Sequence, residues 1–223
     1  MKQTKSFICA AVLFALFIAL ILAVLFVDVQ AIGPNDSEIG LSTLNGRFFD
    51  KFSGNIFWYS VTETLGYAAV VVMAIFIGMA LGQLYKRKSL KRVDGALIAL
   101  ITVYTLLAFL YVFFEIVIIN YRPVLEENAL AASFPSSHTM LICTAMLSGC
   151  LHMERLTEDK VIRGVATAFA YIVVIITVVG RALSGVHWLT DIIGGVLISA
   201  ALVMLYIGLS EKFSQMSSAI TKK

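Results

Sequence analysis

The sequence has 223 residues, of which 60% are hydrophobic and only 14% are charged, with a net charge of +3 at neutral pH. Soluble domains carry about 25% charged residues, so this composition excludes an ordinary soluble domain. The basic residues form no stripe of the kind that binds nucleic acid, and no nucleic-acid partner is expected. Cys9, Cys143 and Cys150 lie in apolar runs without metal-ligand spacing, and we interpret them as buried apolar residues.

Long apolar runs follow one another along the chain. A run of about 18 or more apolar residues is long enough to cross a bilayer as a helix. We predict an all-α, polytopic membrane protein in which six transmembrane helices form one bundle. The predicted spans are residues 7–27, 61–85, 95–120, 138–153, 164–179 and 191–209. Residues 1–223 are expected to form a single membrane-embedded domain, with the first span retained rather than removed as a signal peptide.

The longest polar stretch, residues 28–60, connects the first two spans and is rich in aromatic residues in its second half. Phe49, Phe52, Ile56 and Phe57 recur there at helical intervals. Aromatic side chains of this kind anchor helices in the headgroup layer. We therefore predict a short interfacial helix in this first outer loop.

Lysine and arginine are distributed unevenly between the two sides of the predicted bundle. If the N-terminus is inside, 13 of the 17 lysines and arginines lie on the inner side, including those of residues 86–92. The other four are Arg47, Lys51, Arg122 and Arg181. The positive-inside rule then predicts a multi-pass protein of the cell membrane with both termini in the cytoplasm. The loops before the fourth and sixth spans therefore open on the outer face.

Ionisable and hydroxyl side chains cluster in these two outer loops. Charged groups are costly at the end of a membrane segment, so they are candidates for function by default. The clustered residues are Arg122, Ser136, Ser137, His138, Arg181, His187 and Asp191. Because both loops open on the same face, we expect them to meet and form one site.

The residue types in this cluster suit chemistry on a phosphate group. The two arginines can bind phosphate oxygens through paired, charge-assisted hydrogen bonds. The start of the fourth span adds the free N–H groups of a helix N-terminus. Two histidines allow one nucleophile or base and one acid. Asp191 lies four residues after His187, on the same helical face, where a carboxylate can fix the tautomer of the imidazole.

These residues resemble the motifs of the type 2 phosphatidic acid phosphatase superfamily, integral-membrane lipid phosphate phosphatases related to the vanadium haloperoxidases. The family motifs read K-x6-R-P, P-S-G-H and S-R-x5-H-x3-D. Arg122-Pro123 matches the end of the first motif. Residues 135–138 match the second with Ser137 for glycine, and residues 180–191 match the third with Gly180 for serine. The resemblance covers about residues 60–210, and the six-helix plan fits it.

The resemblance implies a covalent mechanism. His187 is expected to attack phosphorus and form a phosphohistidine, Asp191 to orient its ring, and His138 to protonate the leaving group. The phosphoryl oxygens are expected to be held by Arg122, Arg181, Ser136 and Ser137. Because His187 must be neutral and His138 protonated, activity should follow a bell-shaped pH profile. No set of residues has an evident metal-ligand spacing, and no cofactor is expected to be required.

The chief departure from the family pattern is Glu115, which stands where the first motif has its lysine, seven residues before Arg122. Three interpretations are open. Glu115 pairs with Arg122 or Arg181 and holds it in place; or it recruits a divalent cation that bridges to phosphate; or the site is weakened or retuned toward another substrate. Glu63, near the outer end of the second span, could be a second carboxylate partner, but a lone interfacial acid is the preferred interpretation.

Lipid phosphates are the expected substrates and the bilayer is the expected surroundings. Undecaprenyl diphosphate or a related polyprenyl phosphate is the first candidate, and phosphatidylglycerol phosphate or phosphatidic acid is the alternative. A hypothesis of another class is a non-catalytic lipid-binding scaffold with a decayed site. A transporter is disfavoured, because the first, fifth and sixth spans carry almost no polar residues at the midplane. No oligomeric state is predicted.

Overall fold

A computed structural model describes residues 2–52 and 54–221; Met1, Ser53, Lys222 and Lys223 lie outside the described residues. The two terminal lysines counted in the topology prediction are therefore not placed. The described chain folds into seven α-helices and two short 3₁₀ turns, Pro34–Asp36 and Leu90–Arg92. The helices are α1 (Lys2–Phe26), α2 (Ser42–Phe52), α3 (Ile56–Arg87), α4 (Gly95–Ile116), α5 (Ser137–Leu156), α6 (Lys160–Ser184) and α7 (Leu189–Thr221).

Five of the described helices, α1, α3, α4, α6 and α7, are long and apolar enough to cross a membrane. The predicted all-α membrane bundle is confirmed, but only five of its six predicted spans meet this standard. The exception is α5, whose 20 residues include buried Thr139, Thr144, Ser148 and His152. These polar side chains are accommodated because α5 packs against α3, α4, α6 and α7, so that they face other helices.

Several helix ends differ from the prediction, and local capping accounts for two of them. α3 begins at Ile56, where Asn55 accepts a hydrogen bond from the N–H of Phe57 at 3.1 Å. α6 begins at Lys160, where Asp159 accepts from the next two backbone N–H groups. α6 also continues to Ser184, so Arg181 lies on a helix and not in a loop. α7 continues through the polar tail to Thr221.

A short helix is present in the loop between α1 and α3, but it begins earlier than predicted. α2 spans Ser42–Phe52, while Phe57 and its aromatic neighbours belong to the first turn of α3. Gly54, with a φ of +100°, separates the two helices. Asn45 on α2 is buried and donates to the Thr190 hydroxyl at 3.0 Å, and the Thr190 N–H donates back at 3.2 Å. α2 is thereby fixed to the start of α7.

The core joins α1 and α7 to the loop that precedes α5. Phe17 of α1 is 1% exposed, and its ring centroid lies 5.7 Å from that of Phe114 and 5.8 Å from that of Phe134. The paired glycines of α7 allow this loop and α5 to come close. A Cβ on Gly194 would lie 2.7 Å from the Phe134 ring, and one on Gly195 would lie 2.8 Å from Thr139. These small residues therefore serve close packing at this point of the bundle.

Candidate active site

The two loops that carry the second and third motifs meet, as predicted, at one end of the bundle. The start of α5, the end of α6 and the start of α7 converge there, together with the segment between α4 and α5. The Ser136 N–H donates to the Asp191 carbonyl at 2.9 Å, which joins the second motif directly to the third. Polar side chains from four parts of the chain are buried within a few ångströms of one another.

His187 lies between α6 and α7 and is 2% exposed. Its Nδ1 atom lies 3.2 Å from the Ser133 hydroxyl and 3.6 Å from Asp191 Oδ2. Its Nε2 atom is buried and has no hydrogen-bond partner within the described residues. Burial, followed by the positive charges of Arg181 and Arg122, holds the pKa of His187 well below its usual 6.5. His187 is therefore neutral at physiological pH, with one ring nitrogen anchored and the other free.

Asp191 is fully buried and is fixed by two hydrogen bonds at one oxygen. Oδ2 accepts from the Ser133 hydroxyl and from the Trp188 N–H, the latter at 2.8 Å. Since α7 begins at Leu189, Trp188 occupies its N-cap position and Asp191 its third position. A carboxylate at the third position that reaches back to the N-cap N–H is half of a capping box. The same aspartate thus fixes the start of α7 and faces His187.

Trp188 joins the third motif to the first. Its indole Nε1 donates to the Tyr121 carbonyl at 2.7 Å, directly before Arg122. The ring is 2% exposed and packs on Phe49 of α2, with centroids 5.4 Å apart. A tryptophan beside a membrane segment is often exposed at the interface, whereas this side chain is not exposed. Trp188 is buried among the loops of the site.

Arg181 is completely buried on α6, and its guanidinium reaches across to α3 and α5. Nη1 donates to Glu63 Oε1 at 3.0 Å and to the Thr62 hydroxyl at 3.3 Å. Nη2 donates to His138 Nδ1 at 2.7 Å. Nε is buried without a partner within the described residues. A buried guanidinium with a free N–H is suited to binding an oxyanion.

His138, the second residue of α5, has both ring nitrogens engaged. Nδ1 accepts from Arg181, and Nε2 lies 3.2 Å from Glu63 Oε2. An arginine can only donate, so Nδ1 carries the lone pair and Nε2 carries the proton. The structure therefore holds His138 as the neutral Nε2–H tautomer, whereas the sequence predicted a protonated ring.

Arg122 reaches the same region from the loop after α4. Its Nε donates to the Ala132 carbonyl at 3.1 Å, and its Nη1 lies 3.2 Å from Glu126 Oε2. Its side chain is 12% exposed. With Tyr59 and the loop between α6 and α7, Arg122 lines an open cavity of about 440 Å³. This cavity is large enough to give a polar headgroup room next to Arg122.

Ser136 and Ser137 lie at the N-terminus of α5 and are both buried. The Ser136 hydroxyl accepts from the Thr139 hydroxyl at 3.0 Å. Because α5 begins at Ser137, its first backbone N–H groups have no partner within the helix. The partial positive charge of a helix N-terminus lies there, next to His138 and Arg181.

Comparisons with known proteins show the family and the fold of this chain. The sequence pattern that defines the PAP2 superfamily matches residues 97–214, more than half of the chain. The chain belongs to the PAP2 superfamily. The matched range starts later than the predicted core of about 60–210, and it contains all seven predicted site residues. The comparison with curated proteins gave no significant match.

A solved structure shares the PAP2 fold of this chain. It is described as the crystal structure of the first transmembrane PAP2 type phosphatidylglycerolphosphate phosphatase from Bacillus subtilis. The two chains are 20% identical, the match covers 92% of this chain and 96% of the other, and the TM-score is 0.59. As a PAP2 protein, this chain is a membrane-embedded lipid phosphate phosphatase, a phosphoric monoester hydrolase.

Glu115 does not join the PAP2 site. It is exposed near the end of α4, and the ion pairs of Arg122 and Arg181 are with Glu126 and Glu63. The predicted pairing of Glu115 with either arginine is therefore not present. No group of three or more metal-binding side chains occurs within the described residues, so Glu115 has no cluster of ligands with which to hold a cation. Phosphatases of this superfamily act without a metal ion.

Two residues of the site were missed or misjudged by sequence reasoning. Ser133 precedes the second motif, and nothing in its local sequence marks it as a link between His187 and Asp191. Glu63 was interpreted as a lone interfacial acid, which is wrong, because it contacts both His138 and Arg181. The sequence does contain a feature that predicts a partner for Glu63. It is an acidic residue inside an apolar run, and such residues are usually paired.

Proposed function

We propose that this protein hydrolyses the phosphate group of a membrane lipid through a phosphohistidine formed on Nε2 of His187. One observation carries the proposal: Nε2 is buried without a partner, while Nδ1 is anchored by Ser133 and Asp191. A histidine held in this way presents a lone pair to an incoming phosphorus atom. The free Nε of Arg181 lies in the same buried region and can receive a phosphoryl oxygen.

In the first step, the lone pair of Nε2 forms a bond to phosphorus, and the bond from phosphorus to the leaving oxygen breaks. The electron pair of that bond goes to the leaving oxygen, which takes a proton from His138 after this ring has gained a second proton from solvent. Arg122, Arg181 and the N-terminus of α5 stabilise the charge on the phosphoryl oxygens. As the ring of His187 becomes positive, the carboxylate of Asp191 stabilises it.

In the second step, water attacks the phosphohistidine. The bond from phosphorus to Nε2 breaks, and its electrons return to His187. One proton of the water passes to His138, so that inorganic phosphate leaves and both histidines regain their starting forms. The low pKa of His187 supports this role, because the nucleophile must be neutral when substrate binds.

We propose that the site faces the outer side of the membrane. Lys86, Arg155 and Lys160 mark the opposite end of the bundle, where the basic residues of the chain concentrate. The positive-inside rule assigns that end to the cytoplasm. Cysteine labelling of Glu126→Cys, which lies at the rim of the site, tests this in intact cells with a membrane-impermeant reagent. Labelling only after lysis would contradict an outward site.

Two lipid classes are candidates. Undecaprenyl diphosphate or a related polyprenyl phosphate is the first, because an outward-facing site suits recycling of a carrier lipid. Phosphatidylglycerol phosphate or phosphatidic acid is the second, and the Bacillus subtilis phosphatidylglycerolphosphate phosphatase of the same fold supports it. Phosphate release by purified protein from a matched panel of these lipids decides between them. The substrate with the highest kcat/KM identifies the class.

A non-catalytic scaffold is the alternative of another class. It was suggested by the loss of the family lysine at Glu115. The intact contacts of His187, Asp191, His138 and Arg181 argue against decay, since an unused site has no need of buried charged groups. Purified protein that releases no phosphate from any lipid of the panel, while still binding it, would favour the scaffold.

A further inference from the structure

We propose that Glu63 is the carboxylate partner of His138: it holds the proton on Nε2 and supplies the counter-charge when His138 takes a second proton to become the acid. This inference rests on the proposed phosphohistidine mechanism and adds a residue to it. Glu63 lies on α3, before the range that matches the family pattern.

The geometry fixes where the proton of the resting ring lies. Arg181 Nη2 donates to His138 Nδ1 at 2.7 Å, and Glu63 Oε2 lies 3.2 Å from Nε2. A donor on one side and a carboxylate acceptor on the other favour a single tautomer, with the proton on Nε2. Glu63 is therefore placed to orient His138, as Asp191 and Ser133 orient His187.

A neutral His138 with its one proton on Nε2 cannot serve as the acid, because giving up that proton would leave an imidazolate. It must first take a second proton, on Nδ1. That proton would face the Nη2 donor of Arg181, so the contact between the two side chains has to open. Arg181 is then free to turn toward the phosphoryl oxygens, while the Nε2–H group of His138 stays hydrogen-bonded to Glu63.

Glu63 contacts both His138 and Arg181. Oε2 lies on His138 and Oε1 lies 3.0 Å from Arg181 Nη1. When Arg181 moves toward phosphate, the negative charge of Glu63 is left beside His138 alone. A nearby opposite charge favours the charged form of an imidazole. Binding of the phosphate group would thereby promote protonation of the acid at the moment it is needed.

Other groups around His138 act on the same proton and must be held constant in any test. They are Tyr59 and Glu63 from α3, Arg122 from the loop after α4, Arg181 from α6, His187 before α7 and Asp191 from α7. The charges of the two arginines oppose a positive ring. Glu63 is the carboxylate in direct contact with His138. Its removal should therefore make protonation of His138 less favourable.

The test compares Glu63→Gln and Glu63→Asp with the parent in one lipid assay and one soluble assay. Glu154→Gln, an exposed acid at the far end of α5, is the matched control. The lipid substrate is a phosphomonoester such as phosphatidic acid, whose alkoxide leaving group needs a proton. The soluble substrate is p-nitrophenyl phosphate, whose leaving group does not. Both are assayed across pH, and thermal unfolding checks that each variant is folded.

We expect Glu63→Gln to lower kcat on the phosphomonoester lipid by about 100-fold, the lower end of the range for general acid–base catalysis. The alkaline limb of its pH profile should move toward acid by about 1 pH unit. The fold-decrease in kcat on p-nitrophenyl phosphate should be less than about one tenth of the fold-decrease on the lipid. Glu63→Asp should restore part of the lipid activity and part of the shift, and Glu154→Gln should match the parent.

Equal decreases in kcat on both substrates, with an unchanged pH profile, would overturn the proposal. That result would mean that Glu63 only holds Arg181 in place. Unchanged activity in a folded Glu63→Gln would also overturn it. His187→Ala separates this outcome from failure of the mechanism itself. If His187→Ala is inactive and Glu63→Gln is normal, only the role of Glu63 is wrong. If His187→Ala is active, the phosphohistidine mechanism is wrong as well.

Discussion

The hydroxyl oxygen of Ser133 lies 3.2 Å from Nδ1 of His187. The same hydroxyl donates its proton to Asp191, whose Oδ2 is itself 3.6 Å from that nitrogen. Because the Ser133 proton is used on the carboxylate, its oxygen is free to accept from Nδ1–H of the histidine. Ser133 therefore links the aspartate to the imidazole and leaves the lone pair on Nε2.

Replacing Ser133 by alanine should lower kcat by about 10- to 100-fold, because a hydrogen bond in a charged network contributes about 1.5–3 kcal/mol. Ser148→Ala is the matched control, since Ser148 is also fully buried but bonds to the Thr144 carbonyl within its own helix. Steady-state phosphate release measures both variants. Equal activity of the two would show that Ser133 does not orient His187.

Replacing Arg181 by lysine should lower kcat/KM by at least about 100-fold, although the charge is kept. Lysine has no planar fork, so it cannot contact Glu63 and His138 while leaving a further N–H for phosphate. Arg155→Lys is the control, because Arg155 donates to Ser210 at 3.0 Å at the other end of the bundle. If Arg181→Lys keeps parental kcat/KM, positive charge alone is sufficient at this position.

Replacing Glu115 by glutamine should change activity by less than about 2-fold, with or without added magnesium, because an exposed side chain without an ion partner contributes little. The assay is lipid phosphate release in a chelator and in millimolar magnesium. A large loss confined to the magnesium condition would instead support the cation-bridging interpretation.

Stability should fall as the solution is acidified below about pH 6.5, and His187 should contribute to the fall. The pKa of His187 is held well below 6.5 in the folded protein, whereas the unfolded chain regains the ordinary value. The unfolded state then binds more protons, so lowering the pH favours unfolding. Thermal unfolding in detergent should show a larger loss of Tm between pH 7.5 and 5.5 for the parent than for His187→Gln. Identical losses would contradict a depressed pKa.

The helical membrane bundle and the meeting of the two motif-bearing loops could be predicted from sequence because both follow from local patterns. Apolar runs define most of the spans, and the three motifs have fixed spacings. The spacing of six and four residues among Arg181, His187 and Asp191 predicted one shared region. The structure brings these three residues together with His138 in the predicted region.

The remaining features depend on contacts that no local pattern encodes. Glu63 reaches His138 from a helix 75 positions earlier in the chain, and Ser133 bonds to Asp191 58 positions later. The seven residues from Glu115 to Arg122 would place both side chains on one face of a continuous helix. Because α4 ends at Ile116, Arg122 does not lie on that helix and the two side chains share no face. The polar residues of α5 were not expected from the run of apolar residues, and they reflect the position of this helix inside the bundle.

The central claim is that His187 carries the phosphoryl group, and a trapping experiment tests it most directly. Purified protein is mixed with lipid labelled in its phosphate, quenched in alkali within milliseconds and digested for phosphopeptide mapping. The mechanism predicts an acid-labile, alkali-stable label on the peptide that contains His187, and no label in a folded His187→Ala variant. Label on any other residue, or phosphate release by His187→Ala at the parental rate, would contradict it.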